Sequence, residues 1–353
     1  MAKALIAMSG GVDSSVTALL MKKNGYDCIG VTFKMFDKNE DIFGFDVIDG
    51  EKDIRDAKAV CDRLDIPFMA VDVSEKFRRH VIDNFIKTYE KGGTPNPCVE
   101  CNKHIKFAIL SDIADEYGCD VFATGHYAKK DFDNERYFIR KADDEKKDQS
   151  YFLYSLSQKQ LKKAMFPLSE ITKEEARRLA EENGFVNAHK KDSQDTCFIS
   201  GNDYAAFIHR VTGKKYPEGR FIDTEGKTLG THKGIINYTI GQRKGLGIAL
   251  GAPAYVKCKN VADNTVTLSS DDKLYEKEIN VKQFNFMAIG RTENEFRCSA
   301  KIRYAHKGAP ATAIVTDENR VKIIFDEPQR APAQGQSVVL YDNDKVLGGG
   351  IIE

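Results

Sequence analysis

The N-terminal end of the chain constrains the fold most, because an apolar run there leads directly into a glycine-rich turn and a helical pattern. Residues 3–8 (KALIAM) form the run, SGGVDSS follows, and apolar residues then recur at helical spacing until Asn24. This order predicts a strand, a glycine loop and a helix. The loop would gather backbone N–H groups and the positive end of the helix dipole at one point, which is an arrangement that binds phosphate.

Strand patterns and amphipathic helix patterns keep alternating over the N-terminal half of the chain. Strands are predicted over 28–35, 67–73 and 119–128, and helices over 50–66, 74–92 and 102–118. Ser74 is predicted to cap the second of these helices. Alternation of this kind predicts an α/β fold with a doubly wound parallel sheet that carries helices on both faces.

From about residue 204 the pattern changes to short hairpin-like runs separated by turn residues, as in YVKCKNVADNTVTLSS. The C-terminal third is therefore predicted to be all-β, as a small barrel or sandwich. The chain has 353 residues, which is more than one core usually supports. We expect three domains: an α/β domain over 1–203, a small central β-rich domain over 204–275 and a C-terminal β-barrel over 276–353.

The composition limits the partners and the compartment. Lys+Arg and Asp+Glu both number 53, so no net field attracts nucleic acid, and a polyanion would have to be held by local basic patches. No apolar run approaches the ~18–20 residues of a membrane span, and the N-terminus does not resemble a secretory signal. We expect a cytoplasmic protein with no membrane contact. The eight cysteines are scattered, and most should be buried thiols in a reducing compartment.

Cys98 and Cys101 form the only closely spaced cysteine pair, in the stretch TPNPCVECN. A structural zinc site needs further ligands at matched spacing, and the sequence has no second CxxC. A thioredoxin-like dithiol would follow a strand near the N-terminus, whereas this pair follows a Pro-Asn-Pro segment that would stiffen a loop presenting Cys101. A third interpretation is sulfur chemistry shared with Cys197, whose polar surroundings, with Lys190 and Lys191 preceding it, could favour a thiolate.

The loop SGGVDSS matches neither GxxxxGK[ST] nor GxGxxG, and it has no lysine to grip a γ-phosphate. It resembles the pyrophosphate loop of the ATP pyrophosphatase superfamily, whose members cleave ATP between the α and β phosphates and adenylate a substrate oxygen. The resemblance implies an adenine nucleotide alpha hydrolase-like (PP-loop) fold with ATP and Mg²⁺ as cofactors, and Asp13 would be available for a metal or for helix capping. The residues that it implies for ATP binding are Ala7, Met8, Ser9, Gly10, Gly11, Val12, Asp13, Ser14, Phe33 and Gly125.

Seven motifs carry a more specific resemblance. SGGVDSS, TPNPCxxCNxxIKF, ATGHYA, KDQSYFL, DSQDTCFI, YTIGQRKGLG and LGGGII occur in the order found in the tRNA-specific 2-thiouridylase family, and together they span nearly the whole chain. Members of this family make 2-thiouridine at the wobble position of the tRNA anticodon. The resemblance therefore implies a tRNA partner, a sulfur donor that is a protein or sulfide, and adenylation of uridine O2 before sulfur transfer.

The resemblance also implies roles for individual residues. Cys101 matches the nucleophile, and Cys197 matches the cysteine that carries the persulfide sulfur. The residues that match contacts to the target base or to other parts of the tRNA are Asn96, Pro97, Cys98, His126, Lys147, Asp148, Gln149, Arg303, Tyr304 and Gln336. Some members carry aspartate where this chain has Cys98, and a cysteine cannot serve equally as an acid or base, so the role of Cys98 stays open.

Two sulfur mechanisms and two other functions remain open from the sequence. Sulfur could pass through a Cys197 persulfide, or Cys98, Cys101 and Cys197 could ligate a [4Fe–4S] cluster whose fourth iron binds hydrosulfide. A small-molecule synthetase or amidotransferase would use the same ATP loop, although it would not explain the cysteines. A non-catalytic RNA-binding protein would not need the loop and both cysteine sites. Surface cations that could contact tRNA phosphates are Lys159, Lys162, Lys163, Arg177, Arg178, Lys190, Lys191, Lys214, Lys215, Arg243 and Lys244.

Overall fold

The computed structural model describes residues 1–36, 50–133, 135–191, 196–199, 201, 203–290 and 294–353. The first four residues of the DSQDTCFI motif therefore lie outside the described residues. The chain divides into two compact units. The first comprises Met1–Val81, Cys98–Asn202 and Asp344–Leu347, and the second comprises Ile82–Pro97, Asp203–Asn343 and Gly348–Glu353. No helix within the described ranges has both the length and the apolar character needed to cross a membrane.

Helices are most frequent in the N-terminal half of the chain, and strands dominate the C-terminal half. The α-helices are α1 (Val12–Lys23), α2 (Gly50–Arg63), α3 (Ser74–Phe77), α4 (Asp83–Glu90), α5 (Pro97–Cys101), α6 (Phe107–Glu116), α7 (Gln158–Lys163), α8 (Lys173–Glu182) and α9 (Tyr204–Thr212). The first seven strands are β1 (Lys3–Ala7), β2 (Asp27–Lys34), β3 (Phe68–Asp72), β4 (Val121–Ala123), β5 (Lys129–Phe132), β6 (Tyr137–Arg140) and β7 (Ala164–Met165). The others are β8 (Gly219–Ile222), β9 (Thr228–His232), β10 (Tyr255–Asn260), β11 (Thr265–Ser269), β12 (Tyr275–Phe286), β13 (Glu295–Lys301), β14 (Ala309–Asp317), β15 (Arg320–Arg330), β16 (Ser337–Asp342) and β17 (Lys345–Ile352).

The first unit is built on a five-stranded parallel sheet with the order β3-β2-β1-β4-β7. Ala4, Leu5 and Ile6 of β1 are fully buried, which explains why this strand reads as a continuous apolar run. β1 pairs with β2 on one side and with β4 on the other, so the strand order reverses between β1 and β4. Such a reversal opens a crevice at the carboxyl ends of the two strands, where open α/β sheets bind ligands. The predicted α/β fold with a parallel sheet is confirmed.

One predicted helix start and one predicted helix cap are wrong. The helix that contains the cysteine pair begins at Pro97 rather than at residue 102, because proline fits the first helical position, where its missing N–H costs nothing. Cys98 and Cys101 therefore lie on α5 and not on a loop. The helix at position 74 is not capped by Ser74, since Asp72 Oδ1 accepts both the Ser74 N–H, at 3.0 Å, and its hydroxyl, at 2.6 Å.

Each of these two helical stretches contains a π-helical segment. Arg78–Ile82 separates α3 from α4, and Asn102–Lys106 separates α5 from α6. The imidazole rings of His80 and His104, one from each segment, stack with their centroids 4.8 Å apart. A π turn takes in one more residue than an α turn and occurs frequently at functional sites, so it changes which residues share a helix face.

The second unit contains two sheets. One has the order β10-β11-β8-β9, in which β8 and β11 run parallel. In the other, β12, β15, β14, β13, β16 and β17 pair in this order, and β12 also pairs with β17, so six strands close into a barrel. The predicted C-terminal β-barrel is confirmed. Hairpins do not begin at residue 204, however, because Tyr204–Thr212 form α9, whose first turn is capped by the Asp203 carboxylate.

Candidate active site

The SGGVDSS loop connects β1 to the first turn of α1, and its backbone depends on Gly10. Gly10 has a φ of +71°, in the left-handed region that favours glycine, and a Cβ there would clash with the backbone of Asp53. Gly11 is the N-cap of α1, and no described side chain caps this end of the helix. The N–H groups of the first turn therefore remain available to an anion, which the helix dipole also favours.

The serine hydroxyls of the loop hold it together from within. Ser14 Oγ accepts the backbone N–H of Ser9 at 3.1 Å and donates to the C=O of Gly11 at 2.9 Å. The Ser9 hydroxyl donates to Ser14 Oγ at 3.2 Å. Because Ser14 is buried, its hydroxyl sets the curvature of the loop rather than facing solvent.

Two residues from far along the chain fix the same loop. Asn187 Nδ2 and Lys190 Nζ each donate to the C=O of Gly10 at 3.0 Å, and Lys190 also pairs with Asp53 at 2.5 Å and with Asp56 at 3.1 Å. The prediction that Lys190 favours a thiolate at Cys197 is wrong, because its charge is balanced by these carboxylates and does not act on that thiol. Lys190 instead supports the loop.

Asp13 does not cap α1, and it has partners in the protein. Both of its carboxylate oxygens lie 2.7 Å from Lys173 Nζ, and the Tyr127 hydroxyl donates to Oδ1 at 2.9 Å. Lys173 exposes 11% of its side chain and Asp13 exposes 33%, so the pair is only partly solvated. Asp13 therefore ties the first turn of α1 to α8 and to the segment that follows β4.

The segment after β4 approaches the loop as closely as the backbone allows. A Cβ on Gly125 would lie 2.9 Å from the carbonyl carbon of Asp13 and 3.0 Å from the amide nitrogen of Ser14, so only glycine fits without a shift. Next to it, His126 Nδ1 lies 2.9 Å from the Thr124 hydroxyl. Burial, together with the positive charge of Lys106, holds the pKa of His126 well below its ordinary value, so its imidazole is neutral.

The other residues predicted to bind ATP lie at the same end of the parallel strands. Ala7 ends β1, and Val12 is the first residue of α1. The Met8 N–H donates to the C=O of Val31 at 2.8 Å, which continues the pairing of β1 with β2. Phe33 lies half-buried near the end of β2. The ten predicted residues therefore occupy the carboxyl ends of β1, β2 and β4 and the start of α1.

The two helical cysteines differ in exposure. Cys98 is exposed, whereas Cys101 is 7% exposed and is packed into the first unit. Burial raises the pKa of both thiols, to about 11 for Cys101, and the charge of Lys106 opposes the rise in each case. Both cysteines are therefore neutral thiols at neutral pH.

Cys197 is exposed, yet desolvation by the surrounding protein raises its pKa to about 12. A thiol in a narrow recess has both properties, because a water molecule can touch the sulfur while protein atoms fill most of the space around it. The pKa of Cys197 therefore rises because protein atoms surround the sulfur, although part of the side chain is exposed. The neighbouring Phe198 is buried and packs edge-on against Phe77, with centroids 5.9 Å apart, which anchors the segment. The predicted thiolate at Cys197 is therefore wrong for the free thiol.

The three cysteines act on one another electrostatically. After desolvation, the main influences that raise the pKa of Cys197 are negative charges on Cys101 and Cys98, while Lys106 lowers it. Coulombic coupling of this kind falls with distance, so the thiols lie in one neighbourhood although the sequence separates them. We call the group formed by Cys98, Cys101, Cys197, Lys106 and His126 the thiol recess.

The thiol recess does not fit an iron–sulfur cluster or a zinc ion. No three His, Cys, Asp or Glu side chains in the described ranges are arranged so that they could hold a metal ion. None of the eight cysteines, all of which are described, forms a disulfide. The [4Fe–4S] interpretation is therefore not supported. A Mg²⁺ ion would have to arrive mainly on the phosphates of ATP, which is how this ion is commonly held.

Predicted tRNA-contacting residues in the second unit support the Thr94–Pro97 segment. Gln336 Nε2 donates to the C=O of Pro95 at 2.8 Å and to that of Thr94 at 3.2 Å. Asn96 Nδ2 reaches the Ser337 hydroxyl at 3.5 Å. Gln336 thus supports the backbone that precedes Pro97. Its contact with tRNA stays a prediction.

The turn predicted to contact tRNA at 147–149 has internal roles. Asp148 is buried and accepts hydrogen bonds from the Ser150 hydroxyl at 2.8 Å and from the Ala142 N–H at 3.2 Å. Gln149 Oε1 accepts the N–H of Tyr127 at 3.0 Å, and the Gln149 N–H donates to the C=O of Tyr127 at 2.9 Å. Gln149 therefore holds the segment after β4, Asp148 holds the turn itself, and Lys147 is half-buried.

In the second unit, Arg303 and Tyr304 adjoin the barrel. Arg303 donates to the C=O of Arg330 at 3.1 Å, and Tyr304 is 42% exposed with Lys301 Nζ 5.7 Å from its ring centroid. An exposed aromatic ring next to a cation is the combination on which a nucleic-acid base stacks.

Several predicted phosphate contacts already have protein partners. Lys159 and Lys163 both pair with Asp115, at 3.2 and 2.6 Å, and Lys214 pairs with Glu90 at 2.8 Å. Ion pairs at the surface of this kind contribute little to stability. The role of these lysines in RNA binding stays a prediction.

Sequence reasoning missed four residues of the site: Lys106, Tyr127, Lys173 and Asn187. Tyr127 and Lys106 lie inside the motifs ATGHYA and TPNPCxxCNxxIKF, so their positions were marked although their roles were not. Lys173 and Asn187 stand in ordinary helix and turn sequence, and no local pattern indicates that they reach the loop 160 or more residues earlier.

Three protein-family models match consecutive parts of the chain. They are described as a tRNA methyl transferase HUP domain, which matches residues 2–201, a tRNA methyl transferase PRC-barrel domain, which matches 205–270, and an aminomethyltransferase beta-barrel domain, which matches 276–352. The chain is 47% identical over 359 residues to the tRNA-specific 2-thiouridylase MnmA of Clostridioides difficile, with 99% of this chain and 98% of the relative covered. It is 45% identical over 355 residues to the tRNA-specific 2-thiouridylase MnmA of Clostridium beijerinckii, with the same coverage of both chains.

Proposed function

The chain belongs to the tRNA-specific 2-thiouridylase family of sulfurtransferases, and on that premise we propose that it converts the wobble uridine of tRNA (U34) to 2-thiouridine with ATP. In this reaction O2 of the uracil attacks the α-phosphate of ATP and pyrophosphate leaves. C2 then carries an adenylate, which leaves as AMP when sulfur arrives. The division into domains over 1–203, 204–275 and 276–353 is part of the proposal.

The electrostatic coupling of Cys101 to Cys197 carries the proposal. Persulfide chemistry needs two thiols that can reach each other, and these two share the thiol recess of the first unit. An ATP-dependent ligase for small molecules needs no such pair. The coupling therefore favours sulfur transfer over the other reactions of a PP-loop fold.

The glycine loop supports the adenylation step. Its uncapped first-turn N–H groups would bind the departing pyrophosphate, and Lys190, Asn187 and the Asp13–Lys173 pair would keep them aimed before ATP arrives. Mg²⁺ bound to the phosphates would supply further charge neutralisation. Gly125 would let the segment after β4 approach the nucleotide.

The sulfur step would proceed from a persulfide on Cys197. Its terminal sulfur attacks C2 and displaces AMP, and the Cys101 thiolate then attacks Cys197 Sγ, which leaves sulfur on C2. In the other order, Cys101 attacks first and releases hydrosulfide, which attacks C2. Both routes leave a Cys101–Cys197 disulfide that a two-electron thiol reductant must open. A persulfide loses its proton more readily than a thiol, so the high pKa of free Cys197 is compatible with this role.

The tRNA contacts are proposed from the positions of the residues that match the family's motifs. Asn96, Pro97 and Cys98 would face the flipped base, since a base-modifying enzyme must take its target out of the stack. Other contacts would come from the segments that carry His126, Lys147–Gln149, Arg303–Tyr304 and Gln336. The sulfur donor would be a protein persulfide, whose outer sulfur passes to the Cys197 thiolate while the donor is left with a thiol. Sulfide alone would not form the Cys197 persulfide, because that step needs a two-electron oxidant.

The experiment is mass spectrometry of nucleosides after incubation of the iron-free protein with tRNA, ATP, Mg²⁺ and a persulfide source. We expect 2-thiouridine with the natural chain, none with Cys101→Ser or Cys197→Ser, and undiminished product with Cys258→Ser, which removes an exposed thiol of the second unit. Pyrophosphate release should require tRNA. Release without tRNA and without thiolation would indicate a small-molecule synthetase, and activity only with iron would indicate cluster chemistry.

A further inference from the structure

Lys106 is a half-buried cation without an ion-pair partner among the described residues. Other cations near the SGGVDSS loop, here called the ATP loop, have carboxylate partners. Lys173 pairs with Asp13, and Lys190 pairs with Asp53 and Asp56. Glu100, one of the two acidic residues nearest in sequence, instead lies 3.4 Å from His104 Nε2. No carboxylate among the described residues therefore competes for the ammonium group of Lys106.

The π segment places Lys106 on the cysteine side of its helix. Lys106 stands five residues after Cys101. In a regular α-helix, five residues turn through about 500°, which would leave Lys106 about 140° away from Cys101. In the π segment, bonds join residues five apart, as when the Phe107 N–H donates to the C=O of Asn102, so residues five apart lie nearly one above the other.

Lys106 acts electrostatically on all three thiols and on one imidazole. It opposes ionisation of His126 and favours ionisation of Cys98, Cys101 and Cys197. The thiols disfavour one another's ionisation, so the second and third sulfur anions are harder to form than the first. With His126 neutral, Lys106 is the one cation in the described part of the chain that acts on all three thiols.

We propose that Lys106 is a positioning residue for sulfur transfer, whose ammonium group provides the counter-charge for one sulfur anion at a time among Cys98, Cys101 and Cys197. Its part in sulfur transfer rests on the proposed function, whereas the charge effect can be measured without RNA or ATP. The π segment is then the device that turns this cation toward the sulfurs.

The test is the alkylation rate of individual cysteines by iodoacetamide, followed by peptide mass spectrometry between pH 7 and 9.5 in reduced protein. The variants are Lys106→Met and Lys106→Arg, and the matched control is Lys103→Met, which removes a lysine of the same π segment that does not act on the thiols. Cys258 is exposed in the second unit and serves as the internal reference thiol. Thermal unfolding and circular dichroism establish that each variant is folded.

We expect Lys106→Met to slow alkylation of Cys98 and Cys197 about three- to fourfold at each pH. A pKa rise of about one unit lowers the thiolate fraction about tenfold, and the greater nucleophilicity of a more basic thiolate restores about threefold. Lys106→Arg should stay within about twofold of the natural chain, because it keeps the charge. Lys103→Met and the Cys258 reference should not change.

Equal rates in Lys106→Met and the natural chain, or an equal loss in Lys103→Met, would overturn the inference. If Lys106→Met fails to fold, Lys106→Gln replaces it, and added salt should slow Cys197 alkylation in the natural chain if the cation acts on it. Thiolation of tRNA is measured in parallel. A natural chain that shows the alkylation effect but makes no 2-thiouridine would refute the proposed function and leave the charge effect of Lys106 in place.

Discussion

Replacing Gly125 with alanine puts a methyl group 2.9 Å from the carbonyl carbon of Asp13 and 3.0 Å from the amide nitrogen of Ser14. Both atoms belong to the backbone of the ATP loop, so no flexible side chain can move aside. Favourable contacts between carbon atoms begin near 3.5 Å, so the loop and the segment after β4 must separate by about 0.5 Å. Overpacking of this kind costs about 1–3 kcal/mol of stability.

The larger effect should fall on catalysis. The shift displaces the N–H groups proposed to hold pyrophosphate, and a misplacement of about 1 Å can cost about a hundredfold in rate, so we expect a loss of about tenfold from half that distance. The assay is the initial rate of tRNA-dependent pyrophosphate release, with thermal unfolding in parallel. The matched control is Gly50→Ala, where a Cβ would meet no atom of the described residues within 4 Å.

A Gly125→Ala protein with an unchanged rate and an unchanged Tm would refute the packing argument. An unchanged rate with a lowered Tm would show that the loop tolerates displacement, which would contradict its proposed role. A loss in Gly50→Ala equal to that in Gly125→Ala would show that the effect comes from glycine replacement in general.

Three further predictions concern the described contacts. Lys173→Met should lower the free energy of unfolding by about 1–2 kcal/mol, a value reduced for the partial exposure of Asp13, and urea unfolding at pH 7 should show less loss when Asp13→Asn is added. Burial raises the pKa of Cys61 from 9.0 to about 12, so its neutral thiol contributes stability that is fully present below pH 9 and is lost as the pH rises toward 12; urea unfolding at pH 7 and pH 10 should show a smaller pH dependence in Cys61→Ala. Gln336→Ala removes two hydrogen bonds to the Thr94–Pro95 backbone and should cost about 1–2 kcal/mol, with faster amide exchange at Thr94, whereas unaltered exchange would contradict its supporting role.

Much of the fold follows from patterns that are local in the sequence. The apolar run of β1, the glycines after it and the periodicity of α1 indicate strand, loop and helix because each depends on neighbouring residues. The alternation of strand and helix patterns that follows predicts a parallel sheet. The change to short hairpin-like runs near residue 204 predicts that the rest of the chain is rich in β-strands. The errors occur at helix starts, where Pro97 and Asp72 act through first-turn geometry that propensity alone does not indicate.

The sequence indicates the glycine loop and the cysteines of the candidate site, but it does not indicate the charges that act on them. The lysines before Cys197 suggest a lowered pKa, whereas the fold uses Lys190 on the SGGVDSS loop, and desolvation by the surrounding protein raises the pKa of the exposed Cys197 thiol. Neither outcome is visible from sequence neighbours, because a pKa depends on the density and charge of everything around the group.

Local sequence patterns are sufficient to indicate the strand–loop–helix proposed to bind phosphate, the order of elements in the sheet domain and the family, since each pattern depends on residues within a few positions of one another. The folded chain is needed to show that Lys173 and Asn187 hold the SGGVDSS loop and that Cys101 and Lys106 act electrostatically on Cys197. These outcomes arise from packing between segments far apart in the chain and from one extra residue in a helical turn, which no local pattern specifies.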